Sequence, residues 1–252
     1  MAFFLDNLLL FSAGLIGGIM NALAGGGSAV TFGALIFSGM PPIIANATNT
    51  FAATVGYITG AFGYRKYIYE VRAALLWQVP LVFIGGLIGG WLLLQTEANV
   101  FEAAVPWLFL FATLVFMVGS HLERLAVRLG SRHVALLGGL AIFVTCIYGG
   151  YFNGGFGILM LAALYMSGFT SVRAMNGVKL VFATISSIAA LVLFVLDDKI
   201  DYSGGLAVMA GIGIGSYVAA RLTEFISDRN VKTVSLAVCI GVTIYAFWRQ
   251  WS

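Results

Sequence analysis

Long stretches of the chain contain no charged residue, and the charged positions are grouped between them. The two longest stretches cover residues 7–64 and 134–172, and neither contains Asp, Glu, Lys or Arg. About 20 consecutive apolar residues are enough for one helix to cross the hydrocarbon core of a bilayer. The pattern therefore predicts an all-α polytopic membrane protein. Shorter charge-free stretches continue the pattern at 73–95, 103–120, 180–196, 202–220 and 233–248.

The composition agrees with this class. The chain of 252 residues is 61% hydrophobic and 9% charged, with a mean hydropathy of +1.00, whereas a soluble domain is about 25% charged. Residues 1–10 contain Asp6 and no basic residue, so they do not resemble a cleavable signal peptide. The net charge of +3 is spread over loops and does not indicate nucleic-acid binding.

A glycine-broken apolar segment occurs twice. The first copy begins at Gly25-Gly26-Gly27-Ser28 and the second at Asn153-Gly154-Gly155. Interrupted hydrophobic segments at corresponding positions of two halves are the best sequence indication of a transporter's binding site. The copies match at a constant separation of 129 residues: Gly25, Gly26, Ala34, Leu35, Ser38 and Gly39 correspond to Gly154, Gly155, Ala163, Leu164, Ser167 and Gly168.

We interpret the chain as two homologous membrane repeats, residues 1–128 and 129–252. Loop charges indicate their orientation, because Lys and Arg are concentrated in cytoplasmic loops. The basic loop at 64–72 is predicted inside, whereas the equivalent loop at 197–201 carries three Asp residues and is predicted outside. Opposite orientations of equivalent loops predict an inverted repeat. Further inside loops are predicted at 121–133 and 221–232, and a further outside loop at 96–102.

This inversion constrains the glycine-broken segments. Residues 134–168 leave the inside linker and must return to the same side before the next helix begins near Arg173. We expect two short helices that meet at a glycine tip. Each half then contains one glycine-broken helical hairpin and three spanning helices. Eight continuous spans with parallel halves are the alternative.

Glycine tips are suited to holding an anion. Main chain without helical structure is tolerated at membrane depth only inside protein or beside a water-filled cavity. Helix N-termini at such a tip offer unpaired N–H groups and the positive end of the helix dipole. Glycine packing between helices is the alternative explanation. The candidate binding residues lie at the tips and in the segments that follow them: Gly25, Gly26, Gly27, Ser28, Asn46, Thr48, Asn49, Thr50, Asn153, Gly154, Gly155, Asn176 and Lys179.

Lys179 is the one charged residue that we predict well inside a span. A charge at the bilayer centre costs at least about 2.5–3.5 kcal/mol and is by default a functional hypothesis. Because no Asp or Glu falls within a predicted span, an anionic substrate is the expected partner. The alternative is that Lys179 lies one turn from the inside surface and extends its ammonium group to water. With one gap, Asn46 aligns with Asn176 and Asn49 with Lys179, and each pair shares a helix face.

At these residues the chain resembles the TauE/SafE family of membrane transporters, over essentially its whole length. The resemblance lies in residues 21–28, in residues 39–49 with Pro41-Pro42, and in the second-half Gly154-Gly155 and Lys179 region. It implies transport of a sulfur-containing anion or related organic acid, such as sulfite, a sulfonate, sulfoacetate or thiosulfate, across a bacterial plasma membrane. Phe156 stands where the first motif has Gly27, so the halves need not contribute equally.

We therefore predict a secondary transporter, with export of sulfite or a related organosulfur anion as the expected activity. An anion channel with the same pore residues, or a transporter of another small organic anion, is the alternative. No enzyme activity and no cofactor are expected, because the predicted spans offer no carboxylate pair, His or metal cluster. A proton relay through side chains is not expected either. The expected partners are the small anion and the lipid bilayer, and a homodimer is left open.

Overall fold

The computed structural model describes the main chain of residues 2–23, 25–128, 131–223, 225 and 228–251, so Ala24 lies outside the description. The described residues form eleven α-helices and no strand. The helices of the first half are α1 (Ala2–Leu23), α2 (Gly27–Phe37), α3 (Pro42–Gly63), α4 (Arg65–Leu75), α5 (Val79–Gln95) and α6 (Ala98–Arg128). The second half contains α7 (Ser131–Tyr151), α8 (Phe156–Met166), α9 (Val172–Leu196), α10 (Tyr202–Arg221) and α11 (Asp228–Trp251).

Five described helical segments are long and apolar enough to cross a membrane. α3 has a comparable length of 22 residues, but its polar positions, Asn46, Asn49 and Thr50 among them, keep it out of that group. The predicted all-α class is confirmed, and several helices fit a bilayer by length and composition. The five segments are Leu5–Leu23, Leu76–Gln95, Ala98–Val115, Val172–Leu196 and Tyr202–Arg221.

Each glycine-broken segment folds back as a hairpin of two antiparallel helices. In the first hairpin (α1 and α2), Asn21 hydrogen-bonds Ser28 across the turn. In the second hairpin (α7 and α8), a Cβ built on Gly149 would meet the ring of Phe156, and one on Gly138 would meet Ser167. The first helix of each pair is longer than the short helix we expected. α1 and α7 have 22 and 21 residues, and only α2 and α8 are short, with 11 each.

The short helices α2 and α8 end in the same way. Gly39 and Gly168 have φ of +90° and +86°, a left-handed conformation that glycine adopts without steric cost. The residue after each glycine donates its N–H to the carbonyl of Leu35 or Leu164. This is the Schellman arrangement of a helix C-terminus. It recurs at the same 129-residue separation as the glycine motifs.

Helices of each half pack among the helices of the other half. α10, from the second half, packs against both α1 and α3, and α5, from the first half, packs against both α7 and α9. α3 and α9 contact each other, and α6 packs against α11. Residues 129 and 130, at the boundary between the sequence repeats, lie outside the described residues. The repeats interlock in space instead of forming separate compact bodies.

Glycines allow α1 to approach α10 closely, and α5 to approach α7. A Cβ on Gly14 or Gly18 of α1 would lie 2.4 Å from a main-chain carbonyl oxygen of α10. A Cβ on Gly89 of α5 would meet the carbonyl oxygen of Ile147 in α7 in the same way. Small residues at helix contacts are common in membranes, where association depends on dispersion contacts between closely approaching main chains.

The two ends of the helix bundle carry opposite charge. Tyr64, at the end of α3, hydrogen-bonds Thr223 after α10 and lies against Gly177 near the start of α9. At the opposite end, the N–H of Asp201 donates to Thr48 in the second turn of α3. The first end carries Arg65, Lys66, Arg72, Arg173 and Arg221, and the second carries Asp197, Asp198 and Asp201. The basic segment at 64–72 and the acidic loop at 197–201 therefore lie at opposite ends of the bundle, and the side of the membrane that each end faces stays a prediction.

Part of the predicted inside surface lies outside the description. The side chains of residues 119–135 and 226–232 are not described. The basic residues of the 121–133 linker fall in this range, as do Arg229 and Lys232 of the 221–232 loop. Among the basic residues of those two loops, Arg221 is the one whose side chain is described.

Gly18→Ala tests whether the close contact of α1 with α10 stabilises the fold. The new methyl group would overlap the carbonyl oxygen of Ile212, which is main chain and cannot turn aside. We expect a loss of about 1–3 kcal/mol in the free energy of unfolding, as for other overpacked sites. The measurement is the thermal unfolding midpoint of the purified protein in detergent.

Gly33→Ala in α2 is the matched control, because a Cβ there meets no atom within 4 Å. Alanine also favours helix more than glycine does. We expect the control to unfold at or above the temperature of the original protein. Equal midpoints for the two variants would contradict the role assigned to the α1–α10 contact.

Candidate functional site

The tip of the first hairpin presents Ser28 to the protein interior. Asn21 Nδ2 donates to Ser28 Oγ at 3.1 Å, and the Ser28 N–H donates to Asn21 Oδ1 at 3.2 Å. The N-cap residue of α2 is Gly26, which has no side chain to accept from the first amides. Asn21 on α1 therefore takes the place of a helix cap for α2.

Tyr57 of α3 connects this tip to the tip of the second hairpin. Its hydroxyl lies 3.0 Å from Ser28 Oγ and donates to Asn153 Oδ1 at 2.6 Å. Because Tyr57 has one hydroxyl proton and gives it to Asn153, the Ser28 hydroxyl is the donor to Tyr57. A directional chain of hydrogen bonds therefore runs from Asn21 through Ser28 and Tyr57 to Asn153.

Asn153 at the second tip is held by two further side chains of α3. Its N–H donates to Asn46 Oδ1 at 3.2 Å, and its Nδ2 donates to Thr50 Oγ1 at 3.4 Å. Asn46 Nδ2 donates to the carbonyl of Tyr151, the last residue of α7, at 3.0 Å. Asn46, Thr50 and Tyr57 follow one another at helical spacing, so they project from one face of α3.

Asn49 and Thr31 form a second set of bonds around the first tip. Asn49 Oδ1 accepts from Thr31 Oγ1 at 2.5 Å, and Asn49 Nδ2 donates to the Ser28 carbonyl at 3.2 Å. Among the described buried side chains, only Gln78 has a nitrogen or oxygen atom without a partner. The buried residues joined in this way form the tip network: Asn21, Ser28, Thr31, Asn46, Asn49, Thr50, Tyr57 and Asn153.

The two tips touch through glycine. Gly25 has φ of +89°, and a Cβ built on it would lie 2.4 Å from the carbonyl carbon of Gly157. A Cβ on Gly157 would in turn lie 2.6 Å from the Cα of Gly25. Only residues without a side chain can stand at this contact. The glycines therefore bring the main chains of the two hairpins together beside the tip network.

Lys179 lies on α9 with 1% of its surface exposed. Its Nζ donates to Asn176 Oδ1 at 2.8 Å and to the carbonyl of Ala22, in the last turn of α1, at 3.5 Å. No described carboxylate lies within 4.0 Å of this ammonium group, since the ion pair in the described part of the chain joins Lys199 and Asp197. Lys179 thus packs against the end of the first hairpin and does not extend to the protein surface.

The contacts at the ends of the two long hairpin helices correspond. Ala22 and Tyr151, whose carbonyls accept the bonds, are separated by the same 129 residues as the glycine motifs. Lys179 on α9 donates to the Ala22 carbonyl, and Asn46 on α3 donates to the Tyr151 carbonyl. Carbonyls in the last turn of a helix lack a partner in that helix and carry the negative end of its dipole. The Ala22 carbonyl accepts from the Lys179 ammonium group and, at 3.3 Å, from Tyr64 Oη, whereas the Tyr151 carbonyl accepts from an amide.

Thr48 is a candidate residue that the fold places elsewhere. Its Oγ1 accepts from the N–H of Asp201 at 2.9 Å, on a face of α3 that does not take part in the tip network. The Ser203 hydroxyl and the Gly204 N–H donate to the Asp201 carboxylate and hold the pKa of that carboxyl below its ordinary value. The carboxylate therefore stays ionised, so Thr48 lies beside negative charge.

The remaining candidate glycines have packing roles that the structure makes explicit. A Cβ on Gly27 would overlap the carbonyl oxygen of Gly17 in α1. The Gly154 carbonyl accepts from Tyr148 Oη at 2.8 Å, and Gly155 begins α8 with φ of +85°. Gly26 and Gly155 are the N-cap residues of α2 and α8. Each candidate glycine thus lies at a tip, as predicted.

An aromatic cluster covers the second tip. Phe152, the residue before Asn153, is buried and packs edge-on against Phe32, Phe101 and Phe109, with ring centroids 5.4, 6.1 and 4.9 Å away. Phe101 and Phe109 belong to α6 and Phe32 to α2. The cluster therefore ties the second tip to α2 and α6.

Four residues at the site are absent from the sequence prediction. Asn21, Thr31 and Tyr57 join the tip network, and Gly157 makes the contact between the tips. A helical spacing from Asn46 through Thr50 to Tyr57 could have identified the tyrosine. Asn21 lies seven residues before Ser28, on the other helix of the hairpin. Only the hairpin geometry brings it to the tip.

The described residues contain no group of three or more His, Cys, Asp or Glu side chains placed to hold a metal ion. The donors at the tips are amides, hydroxyls and one ammonium group. Such donors suit an oxyanion better than a divalent cation, which prefers carboxylate, imidazole or thiolate ligands.

Comparison with known proteins gives one family and a set of related bacterial chains. The family model described as "Sulfite exporter TauE/SafE" matches residues 10–246. A probable membrane transporter protein of Haemophilus influenzae is 31% identical over 219 residues, which cover 85% of this chain and 84% of the relative. The probable membrane transporter protein YfcA of Escherichia coli is 29% identical over 235 residues, 91% of this chain and 85% of the relative. No solved structure gives a significant match.

Tyr57→Phe tests the hydrogen-bonded link between the tips. The change removes the hydroxyl that donates to Asn153 Oδ1 and leaves that buried acceptor one donor short. We expect a loss of about 1–3 kcal/mol in the free energy of unfolding, measured as a lower thermal midpoint in detergent. Tyr202→Phe is the control, because Tyr202 is half exposed at the start of α10. Similar midpoints for both variants would contradict the link.

Proposed function

The chain is a membrane transporter of the TauE/SafE family, and from that premise we propose that it carries a small sulfur-containing anion, sulfite or an organosulfonate, out of the cell. The binding site that we propose lies where the two hairpin tips meet, between the tip network and Lys179. The membrane is the bacterial plasma membrane, in line with the bacterial relatives.

Lys179 is the observation that carries this proposal. A buried ammonium group is costly unless an anion or strong acceptors compensate it. Its described partners, Asn176 Oδ1 and the Ala22 carbonyl, are neutral. A bound oxyanion would supply the missing negative charge, and its oxygens would accept charge-assisted hydrogen bonds.

The tips supply further donors of the kind that an oxyanion needs. The first amides of α2 and α8 stand at helix N-termini, where the helix dipole favours negative charge. Gly25, Gly26 and Gly155 add no side chain that would keep an anion from the main chain. Ser28 and Asn49 offer a hydroxyl and an amide donor at the first turn of α2, and Asn176 lies beside the Lys179 ammonium group. These groups bond to one another, and they would exchange those bonds for substrate oxygens.

Charge at the two ends of the bundle supports export. Five basic residues stand at the end predicted to face the cytoplasm, where they raise the local concentration of anions. At the other end, Asp6 and Asp201 line a groove of about 360 Å³ beside the start of α10. Negative charge there disfavours rebinding of an anion after release. With no described Asp, Glu or His buried in the bundle, we propose uniport or coupling through the substrate's own protonation.

An inverted repeat would give this transporter its alternating access. Exchanging the halves maps the α1–α10 contact onto the α7–α5 contact, and the α10–α3 contact onto the α5–α9 contact. The repeated helix caps and the corresponding bonds to Ala22 and Tyr151 support the same relation. Rocking of the first hairpin with α10 against the second hairpin with α5 would then open the site to each side in turn.

Replacing Lys179 tests the anion site. We expect Lys179→Ala to lower sulfite flux into proteoliposomes about 10-fold or more, because a charge-assisted hydrogen bond contributes about 1.5–3 kcal/mol. Lys179→Arg keeps the charge and should retain part of the flux. Lys199→Ala is the control, since Lys199 is an exposed cation paired with Asp197.

The outcomes of this experiment separate the alternatives. Equal flux for Lys179→Ala and the original protein would mean that Lys179 only holds α9 against α1. Flux of another organic anion without sulfite flux would contradict the substrate class. Unitary currents in planar bilayers, in place of saturable exchange, would identify a channel.

Single cysteines test the proposed inversion. In a background with Cys146 and Cys239 replaced by alanine, we expect an impermeant maleimide to label Lys199→Cys in intact cells. Lys66→Cys should react only after the membrane is opened, because the segment at 64–72, which is helical here as α4, corresponds to the loop at 197–201 in sequence but lies at the opposite end. Labelling of both positions from outside would indicate parallel halves.

A further inference from the structure

α4 is an element that the proposed transport site does not use. It lies between α3 and α5, and α9 and α10 in the second half are joined by a short turn without a described helix. One face of α4 packs onto the bundle, where Ile68 meets Gly177 of α9 and the ring of Tyr67 lies under the Arg173 guanidinium. The exposed positions of α4 carry three cations and one carboxylate: Arg65, Lys66, Arg72 and Glu70.

Large exposed apolar and aromatic side chains stand beside these cations. Tyr69, Leu76 and Trp77 are 67%, 73% and 55% exposed. The Arg72 guanidinium lies 3.5 Å from the centre of the Tyr69 ring, which directs it outward along the same face. Trp and Tyr are enriched at the boundary between a bilayer and water. A surface helix with this combination lies in the headgroup layer.

The short connections of α4 to its neighbouring helices restrict its position relative to the membrane surface. Tyr64 alone separates it from α3, and a single helical turn, residues 76–78, leads from it into the span that ends at Gln95. A helix tied this closely to a spanning segment cannot move far from the membrane surface. We therefore expect its exposed cations, on the end of the bundle that carries the basic residues, to stand at the depth of lipid phosphates.

We propose that α4 is a binding site for anionic phospholipids, with Lys66 and Arg72 contacting the headgroup phosphate and Trp77 anchoring the helix in the interface. Phosphatidylglycerol is the probe for this class. The net positive charge of the exposed face supports an anionic lipid over a zwitterionic one. The exposed Leu76 and Trp77 favour a lipid over free phosphate. This site is independent of the anion that the protein carries, so its test does not depend on transport.

The test is a titration of the purified full-length protein with phosphatidylglycerol, followed by native mass spectrometry. Lys66→Gln/Arg72→Gln is compared with Lys199→Gln/Arg221→Gln, which removes two exposed cations outside α4. Each cation near an anionic surface contributes about 1 kcal/mol, or about fivefold in affinity. We expect the dissociation constant of the first bound lipid to rise about 5- to 25-fold in the α4 variant and less than about twofold in the control.

Each outcome decides for or against the proposal. Unchanged affinity in the α4 variant overturns it, and so does an equal loss in both variants, because binding would then follow total charge. Equal affinity for phosphatidylcholine overturns the preference for an anionic headgroup. Full competition by inorganic phosphate would identify a phosphate site in place of a lipid site. Both variants change exposed side chains, and an unaltered thermal midpoint confirms that they fold.

Discussion

The breaks in the two hairpins leave main-chain groups without helical partners inside a bundle that water does not reach freely. The fold meets this requirement with side chains. Asn21 accepts from the Ser28 N–H, Asn46 bonds both the Asn153 N–H and the Tyr151 carbonyl, and Lys179 donates to the Ala22 carbonyl. Unsatisfied groups of this kind cost several kcal/mol in an apolar environment. The positions of α3 and α9 at the centre follow from this, since they carry most of the donors.

Because the halves interlock, a helix of one half is held by a helix of the other half. α1 packs closely on α10 and α7 packs closely on α5, with glycine at the contacts, so we expect each long hairpin helix to move together with a helix of the other half. The tips, by contrast, meet through a few hydrogen bonds and the Gly25–Gly157 contact. Interfaces built from tight main-chain packing resist change, whereas hydrogen bonds can exchange partners at little cost. The junction of the tips is therefore where opening would begin.

Differences between the halves are as informative as their similarity. Lys179 corresponds to Asn49, Phe156 to Gly27, and α4 has no equivalent after α9 within the described residues. A duplication alone would give two equal tips. In the anion site that we propose, the charged donor would make the first tip the stronger ligand, whereas the second tip is packed against the aromatic cluster around Phe152. A site for one small ion needs no more than one such cation.

The sequence by itself determined the helical membrane class, the glycine breaks and the segregation of charge, because these depend on local composition and spacing, and it predicts the duplication. It also identified Lys179 and most polar residues of the tips. Tertiary structure decided which of them meet. Thr48 bonds Asp201, Asn21 enters the site from the other helix of its hairpin, and Tyr57 and Gly157 meet groups of distant segments. The physical reason is that hydrogen bonds and close approaches between distant segments depend on how the helices of the two halves interlock, and no pattern along one segment records that.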